Sequence, residues 1–336
     1  MPCTVLVSGF WGDEGKGKIV SYLALKDRLN VAVRAGSVNA GHTVVYKGKT
    51  YKMRLVPSAF FYDKCKLLVG PGANINPAIF LDEVERFGVK DRIWVDRQCS
   101  IIEEKHINRD AGSSFLTKKI GTTRQGVGPA IGDRVKRTAK LAYEIPVLKP
   151  YLTDVALEVN KAIDRGKKVL LEGTQGFYLS LYHGTYPYVT SRDTSTSGVC
   201  SEVGVPPTKV DDVLLIFKSY ITRVGSGPLP GELSEEETRR RGWVEIATVT
   251  GRMRRAAPFD YNLARRSAII NGATQIALTK LDVVFPECAG AKRFGELSKR
   301  AVDFIKEIER KVKVPVTLIG TGQETMTIVD RRRGSS

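Results

Sequence analysis

Short apolar runs alternate with amphipathic stretches along most of the chain. Runs rich in β-branched and aliphatic residues predict buried strands, and apolar positions that repeat every three or four residues predict helices. Strands that alternate with helices indicate an α/β fold with a large, mostly parallel central sheet and helices on both of its faces. The predicted strands lie at residues 4–7, 31–33, 66–69, 93–95, 168–171, 213–217, 275–278 and 316–319, and the predicted helices at 19–25, 77–87, 155–163 and 294–311.

A hairpin and a long loop interrupt this alternation. Residues 44–46 and 50–51 are β-branched or aromatic and flank a Lys-Gly-Lys sequence, which predicts a β-hairpin. Residues 112–137 are glycine-rich and basic, and we predict a long functional loop there, because such loops are uncommon inside compact domains. No repeat, low-complexity segment or domain linker is visible, so we predict that residues 1–336 form a single domain.

The composition is that of an ordinary globular protein, with 42% hydrophobic and 26% charged residues among 336. No apolar run is long enough to span a bilayer, and the first residues show no signal-peptide pattern, so we expect no membrane partner. The five cysteines are scattered without a Cys-x-x-Cys pair. This disfavours a disulfide scaffold or a zinc site and favours the reducing cytoplasm.

The chain is strongly basic, with a formal net charge of +17 from 53 Lys and Arg residues against 36 Asp and Glu residues. Such an excess suits polyanionic small substrates, a nucleic acid, or simply a basic surface. No known nucleic-acid motif accompanies the charge, so a nucleic-acid-binding protein is an alternative that rests on charge alone. We therefore expect small anionic substrates and no nucleic-acid partner.

A glycine-rich segment, SGFWGDEGKGK at residues 8–18, follows the first predicted strand and precedes the first predicted helix. The order strand, glycine-rich turn, helix gathers backbone N–H groups and a helix N-terminus at one point, which suits a phosphate group. The alternative is a glycine-rich turn that carries solvated charges. The candidate phosphate ligands are Gly12, Gly15, Lys16, Gly17 and Lys18.

This segment departs from the P-loop pattern in two ways. Ile19 stands where the P-loop has the Ser or Thr whose hydroxyl holds Mg²⁺. Asp13 and Glu14 lie inside the loop, where a carboxylate repels phosphate unless a metal lies between them or the carboxylate performs acid–base chemistry. The main alternative of another class is a regulatory GTP-binding protein, and Ile19 argues against it, as does the set of further anion-binding loops.

Polar residues at the ends of other predicted strands add to the candidate site. Thr279-Lys280-Leu281-Asp282 resembles the Asn-Lys-x-Asp element with which GTP-binding proteins read guanine, although Thr279 replaces the asparagine. An aspartate accepts from guanine N1–H and its 2-amino group, and the lysine stem packs along the base. The alternative is an ordinary polar strand end.

A histidine and two arginines complete the candidate chemistry. His42 lies in a polar loop after the second strand, and glycine loops after adjacent strands would place it near Asp13, which pairs a possible acid with a possible base. Arg252 and Arg254 flank Met253 close to Gly251 and could bind a carboxylate through a bidentate fork. A structural histidine and a solvated basic loop are the alternatives.

Together the motifs of this chain resemble the adenylosuccinate synthetase family, in order from residue 8 to about residue 330. The resemblance implies a GTP-dependent ligase that converts IMP, GTP and L-aspartate to adenylosuccinate, GDP and phosphate through a 6-phosphoryl-IMP intermediate. It also implies Mg²⁺, a cytoplasmic homodimer, and the first committed step from IMP to AMP in purine nucleotide biosynthesis. The motifs are SGFWGDEGKGK, NAGHT at 39–43, GTTRQGVGPA at 121–130, EGTQG at 172–176, GTYPYVTS at 184–191, TGRMRR at 250–255 and TKLD at 279–282.

The resemblance also implies a role for individual residues. The implied catalytic residues are Asp13, His42 and Gln175, and the implied metal ligands are Asp13 and Gly41. The implied IMP ligands are Asp13, Lys16, Asn39, His42, Thr123, Gln175, Thr190, Arg252 and, from the other subunit, Arg137. The implied GTP ligands are Gly12, Gly15, Lys16, Gly17, Lys18, Gly41, Thr43, Arg254, Lys280, Asp282, Gly320 and Gly322, and the implied L-aspartate ligands are Val249, Thr250, Gly251 and Arg252.

The chain departs from the family pattern at several points. It is shorter than long family members between residues 137 and 175 and between residues 282 and 320. Position 320 is Gly where others carry Ser, and residues 177–182 lack the aspartates that are common there. We expect these differences to affect loop closure and the GTP contacts rather than the reaction.

Overall fold

The computed structural model describes residues 3–246, 251 and 253–332. Ten of the strands in these residues form one central sheet, and three short pairs lie outside it. The strands are β1 (Cys3–Ser8), β2 (Val31–Arg34), β3 (His42–Tyr46), β4 (Lys49–Met53), β5 (Lys66–Val69), β6 (Asn74–Ile75), β7 (Ile93–Asp96), β8 (Ser100–Ile101), β9 (Leu152–Thr153), β10 (Val169–Glu172), β11 (Asp212–Lys218), β12 (Tyr220–Arg223), β13 (Arg255–Pro258), β14 (Gln275–Thr279), β15 (Val316–Gly320) and β16 (Ile328–Asp330).

The helices connect these strands, and among the described residues none is long and apolar enough to cross a membrane. They are α1 (Lys16–Asp27), α2 (Pro77–Phe87), α3 (Glu104–Gly112), α4 (Val127–Val135), α5 (Val155–Asp164), α6 (Thr196–Val203), α7 (Glu235–Arg240), α8 (Tyr261–Asn271), α9 (Leu281–Val284) and α10 (Lys299–Val312).

The central sheet has the order β16-β15-β14-β11-β1-β10-β2-β5-β7-β9 and is parallel except for β16 at its edge. Successive side chains of a strand point to opposite faces, so each strand supplies two separate cores. Leu6 and Ile216 pack on one face with α1 and α2, whereas Val5 and Leu215 pack on the other with α5, α6, α8 and α10. The predicted α/β fold with helices on both faces is therefore confirmed.

The strand order corrects one prediction about neighbours. β1 and β2 are not adjacent, because β10 lies between them and pairs with both. The loops that follow β1, β10 and β2 leave the same edge of the sheet, so the Glu172–Gln175 region lies between the phosphate loop and the loop that carries His42. The carboxyl edge near a change in strand order is where open α/β sheets bind ligands.

Most predicted elements differ from the structure by a few residues at their ends, and two differ more. The predicted loop at 112–137 contains a π-helical turn, Phe115–Ile120, and helix α4. The last helix begins at Lys299 and not at Phe294, because the Ser298 side chain accepts the amide N–H of Ala301 and caps the helix there. The hairpin prediction is confirmed, since β3 and β4 pair antiparallel across residues 47 and 48.

Candidate active site

A cleft of about 590 Å³ opens at the carboxyl edge of the central sheet. It is lined by the segments that follow β1, β2, β10 and β14, together with residues from 110–128, 188–191 and 223–226. The predicted site residues that line it are Gly12, Asp13, Gly15, Lys16, Gly17, Lys18, Asn39, Gly41, His42, Thr43, Thr123, Gln175, Thr190, Arg254, Lys280 and Gly322.

Seven predicted site residues either do not line the cleft or lie outside the described residues. Arg137 is exposed and Gly320 is buried at the end of β15, and neither lines the cleft. Gly251 is exposed, with a φ of +66°. Val249, Thr250 and Arg252 lie outside the described residues. Asp282, which also does not line the cleft, is the second residue of the short helix α9, whose N-cap is Lys280.

The phosphate loop reaches the N-terminus of α1 through Gly15, which has a φ of +81°. The Lys16 Nζ is buried under the loop and donates to the Ser8 Oγ at 2.6 Å and to the Gln175 carbonyl. Burial lowers the pKa of Lys16, although Glu14 and Asp13 oppose that effect. The loop therefore has the backbone arrangement and the charge that a bound phosphate requires.

Two close backbone contacts bring other segments against this loop. A Cβ atom on Gly17 would lie 3.1 Å from the His42 Cβ, which is a tight contact, so the glycine favours the close approach of helix α1 to β3. A Cβ atom on Gly176 would lie 2.2 Å from the Gly12 backbone nitrogen. These contacts place His42 and Gln175 beside the phosphate loop.

The two carboxylates inside the loop have different environments. The Glu14 Oε1 accepts the Gly12 backbone N–H at 3.0 Å, and burial raises the pKa of this carboxyl. Asp13 is partly exposed, and its Oδ1 lies 3.0 Å from the Arg254 Nη2. Glu14 therefore stabilises the loop through a buried hydrogen bond, whereas Asp13 is the carboxylate that a ligand can reach.

Lys18 contacts a different segment from the one expected of a phosphate ligand. Its Nζ donates to the Gly322 carbonyl at 2.5 Å and to the Thr327 carbonyl at 2.8 Å. Burial lowers the pKa of Lys18 to about 8, and the Asp282 carboxylate opposes that change. Lys18 thus links α1 to the segment after β15 through these hydrogen bonds. The predicted contact of Lys18 with a phosphate stays a prediction.

His42 is buried in a network with two fully buried charged residues. Its Nδ1 lies 2.5 Å from the Glu172 Oε1, and the Arg34 Nη1 lies 2.7 Å from that same oxygen. Burial and the Arg34 charge lower the pKa of His42 to about 3, although Glu172 opposes them. Burial alone would raise the pKa of Glu172, but Arg34, His42 and Ser58 outweigh it and hold it at about 2. Without a ligand, the imidazole is therefore neutral and Glu172 is ionised at neutral pH.

Several site residues have a backbone conformation that L-residues rarely adopt. Asp13, Gln175 and Lys280 in the cleft lining have φ angles of +66°, +59° and +58°, whereas Arg137, with +63°, follows the end of helix α4. Such conformations cost energy and persist where the surrounding structure enforces them, often at functional sites. Arg28 and Lys313 also have positive φ angles, but each is the C-cap of a helix, where the left-handed conformation is common.

Three predicted ligands carry buried acceptor atoms without a hydrogen-bond partner among the described residues. They are the Asn39 Oδ1, the Gln175 Oε1 and the Asp282 Oδ1. The amide nitrogen of Gln175 donates to the Thr190 Oγ1 at 2.7 Å, which leaves its oxygen free for a ligand. An unpaired buried acceptor is costly, so each of these oxygens is available to a donor on a ligand.

The guanine-reading candidate is tied directly to the phosphate loop. The Thr279 Oγ1 donates to the Glu14 carbonyl at 2.8 Å and lies 3.4 Å from the Phe217 carbonyl. The threonine that replaces asparagine therefore joins β14 to the phosphate loop. This connection places Lys280 in the cleft lining.

The family model described as adenylosuccinate synthetase matches residues 5–145 and 140–287. The chain belongs to the adenylosuccinate synthetase family. The predicted family and its class, a GTP-dependent ligase of purine biosynthesis, are thereby confirmed.

Relatives with this name span the whole chain. The adenylosuccinate synthetase of Archaeoglobus fulgidus is 54% identical over 334 residues and that of Pyrococcus horikoshii is 52% identical over 336, with 99% of both chains covered in each case. The structure of fully ligated adenylosuccinate synthetase from Plasmodium falciparum has a TM-score of 0.89 at 26% identity and covers 98% of this chain and 99% of its own. Cyanophage S-2L succinoaminodeoxyadenylate synthetase, bound to dGMP and dATP as an energy donor, has the same fold, with a TM-score of 0.83 at 24% identity and coverage of 98% and 95%.

The structure also brings to this region two residues that sequence reasoning missed. Arg34 closes the His42 network, and its place directly after an apolar strand was an available signal. Asp110 accepts the Thr122 hydroxyl at 2.8 Å and the Gly126 N–H at 2.9 Å, and it shapes the loop that carries Thr123. Nothing in its local sequence marks Asp110, because both partners come from a later segment.

Proposed function

We propose that the residues of this cleft carry out the family reaction in the roles that the resemblance implies. The enzyme joins IMP to L-aspartate and converts GTP to GDP and phosphate. The observation that carries the residue assignments is the set of buried, unpartnered acceptors on Asn39, Gln175 and Asp282. Residues 1–336 form one functional unit in this proposal, because the motifs extend along the whole chain.

Asp13 is the proposed general base. The O6 of neutral hypoxanthine is a poor nucleophile, and removal of the N1 proton by the Asp13 carboxylate converts it to an oxyanion. The oxyanion then attacks the γ-phosphorus as the bond to GDP breaks. The amine of aspartate next attacks C6 and displaces phosphate. Backbone N–H groups and Lys16 stabilise charge on the transferred group.

His42 is the proposed hydrogen-bond donor to the phosphoryl group. A carboxylate only accepts hydrogen bonds, so Glu172 holds the Nδ1–H of His42, and the Nε2, which lies 3.1 Å from the Arg34 Nη1, is the nitrogen proposed to face the ligand. An arriving phosphoryl anion opposes the lowering of the His42 pKa that burial and Arg34 produce. Protonation of the ring therefore accompanies nucleotide binding in this proposal.

The Asp13 carboxylate and the Gly41 backbone carbonyl are the proposed ligands of Mg²⁺. Both residues line the cleft, and oxygen donors of this kind suit a hard cation. The described residues contain no group of three His, Cys, Asp or Glu side chains that could hold a metal, which fits an ion held by few protein ligands and by nucleotide phosphates. Mg²⁺ supplies neutralisation of charge on the phosphate oxygens.

The reaction itself tests these requirements. GDP release from GTP should need IMP, L-aspartate and Mg²⁺ together, because the phosphoryl acceptor, the second nucleophile and the cation are all used in turnover. Release is measured with each component omitted, and EDTA should abolish it until excess Mg²⁺ is restored. Release without IMP would instead indicate a simple GTPase and contradict the proposal.

Guanine recognition by Asp282 predicts the choice of nucleotide. The unpartnered Asp282 Oδ1 can accept from guanine N1–H or its 2-amino group, so GTP should be strongly preferred over ATP. Asp282→Asn should relax the preference and permit XTP, since the amide can donate to the xanthine 2-oxo group. Initial rates with GTP, XTP and ATP measure this, with the exposed Asp303→Asn as a control. Equal use of ATP and GTP by the native enzyme would remove the assignment.

We also propose a cytoplasmic homodimer in which Arg137 completes the IMP site of the other subunit. Arg137 is exposed and does not line the cleft of its own chain, which suits a role across an interface.

All five cysteines are buried and unpaired, which suits the proposed reducing compartment, the cytoplasm.

A further inference from the structure

Glu245 is a largely buried carboxylate in the cleft lining that has no role in the assignments above. Its side chain is 11% exposed. Its backbone carbonyl accepts the N–H of Arg254 at 2.9 Å, and the next residue, Ile246, pairs antiparallel with Met253. Glu245 and Arg254 therefore lie side by side at the two ends of the segment that contains the predicted aspartate ligands.

Cationic and hydroxyl groups surround this carboxylate. Lys218 Nζ lies 3.1 Å from one oxygen and 3.2 Å from the other, and the Tyr220 hydroxyl and the Arg254 Nη1 also donate to it. Lys280 Nζ lies 3.9 Å away. Burial raises the pKa of Glu245, but Lys218, Lys280 and Arg254 outweigh burial and hold it at about 2. The group is therefore an anion at neutral pH.

Two of the residues that contact Glu245 lie in consecutive strands of the fold. Lys218 ends β11, and Tyr220 begins β12 two residues later. Tyr220 is buried and stacks on Trp243 with 4.6 Å between ring centroids, and Lys218 Nζ lies 4.6 Å from the Tyr220 ring. Packed side chains thus hold both Lys218 and Tyr220 in place for Glu245.

Arg254 is shared between Glu245 and Asp13. Its Nη1 donates to the Glu245 Oε2, and its Nη2 lies 3.0 Å from the Asp13 Oδ1. A guanidinium can bind a single carboxylate through two parallel N–H donors. Because Glu245 occupies one side of the fork, the contact of Arg254 with Asp13 is limited to the other side.

We propose that Glu245 is a positioning residue that holds Arg254 away from full pairing with Asp13, which keeps Asp13 free as the base and Arg254 available to GTP. This inference rests on the roles proposed above for Asp13 and Arg254. Loss of the Glu245 charge would let Arg254 turn wholly to Asp13. Turnover and GTP affinity would then fall together, whereas IMP affinity would change little.

A purely structural role makes a different prediction. Lys218 is buried, and Glu245 is its counter-ion, so removal of the carboxylate leaves a buried cation unpaired and destabilises the fold. In that case thermal stability would fall while GTP affinity and kcat stayed unchanged. Any effect of Glu245 on catalysis would also be independent of Arg254.

A double-mutant cycle separates the two roles. Glu245→Gln is made in the native chain and in an Arg254→Met background, and GTP affinity is measured by calorimetry with a non-hydrolysable analogue, alongside kcat and the KM for IMP. A second cycle places Glu245→Gln and Arg254→Met in a Lys218→Met background. That background removes the buried cation, in case Glu245→Gln alone does not fold. Glu232→Gln is the matched control, since Glu232 pairs with Arg255 outside the cleft lining.

Glu245→Gln should weaken GTP binding about tenfold and lower kcat by a similar factor, with the KM for IMP within about twofold of native. In the Arg254→Met background the same change should alter GTP affinity and kcat by less than about twofold, because the group it positions is gone. Glu245→Asp should recover part of the loss, and Glu232→Gln should behave as the native enzyme.

Three outcomes would count against these assignments, and they are distinguishable. Effects of Glu245→Gln and Arg254→Met that add fully would overturn the positioning role, as would a loss of thermal stability with native GTP affinity and kcat. Native GTP affinity and kcat in Arg254→Met alone would instead refute the proposed role of Arg254 in the site.

Discussion

Asp13→Asn should abolish turnover while it leaves GTP affinity within about threefold of native. General-base catalysis of this kind contributes about 10²–10⁴-fold, and a carboxamide cannot accept the N1 proton of IMP. Asn keeps the size of the side chain and an oxygen for Arg254, which lies 3.0 Å from the carboxylate in the native protein. Adenylosuccinate formation and GTP-analogue binding are the two measurements.

The control for this variant is the same chemical change away from the cleft. Asp82→Asn alters a surface aspartate on α2 whose side chain is 67% exposed, and it should leave turnover unchanged. If Asp13→Asn turned over at the native rate, Asp13 would have no part in proton transfer. If instead it lost GTP binding, Asp13 would act mainly as the proposed Mg²⁺ ligand or in the loop structure, where its φ of +66° is a rarely adopted conformation.

Arg137→Leu should weaken IMP binding far more than GTP binding. A charge-assisted hydrogen bond to phosphate contributes about 1.5–3 kcal/mol, and the guanidinium fork suits a phosphate group. IMP and GTP affinities measured separately give the comparison. Lys149→Leu, another exposed cation, serves as the control and should leave both affinities unchanged.

A shared site also predicts recovery of activity when two inactive chains are mixed. A heterodimer of the Arg137→Leu and Asp13→Asn chains contains one site with both native residues. Random mixing should therefore restore roughly a quarter of the native activity, because half of the dimers then have one of two sites intact. Heterodimers that form, as shown by two different affinity tags, but remain inactive would refute the shared site.

Much of the fold follows from local patterns in the chain. The runs 66–69 and 213–217 are buried strands because β-branched and aliphatic side chains fill both faces of a parallel sheet. Helix α2 begins and ends where predicted, since Asn76 caps it and Gly88 ends it in the left-handed conformation. The predicted helix at 294–311 was wrong at its start because apolar periodicity continues through a region that Ser298 separates from the helix.

The phosphate loop and the polar strand ends were also predictable, because they are contiguous in sequence and their chemistry is local. The strand order was not, since the insertion of β10 between β1 and β2 joins segments more than a hundred residues apart. For the same reason the partners of His42 were only partly visible. Glu172 is 130 residues away along the chain, and only the sheet brings its carboxylate to the imidazole.

The sequence by itself determined the family, the α/β class, the phosphate loop and the candidate ligands. Each of these can be read from short segments, because residue order and side-chain chemistry within a segment are enough to predict it. Only the tertiary structure decided which groups each charged side chain of the site contacts. It engaged Lys18 with the carbonyls of residues 322 and 327, and it placed Arg254 between Asp13 and Glu245. Electrostatic effects at these groups depend on burial and on distances of a few ångströms, which local sequence does not specify.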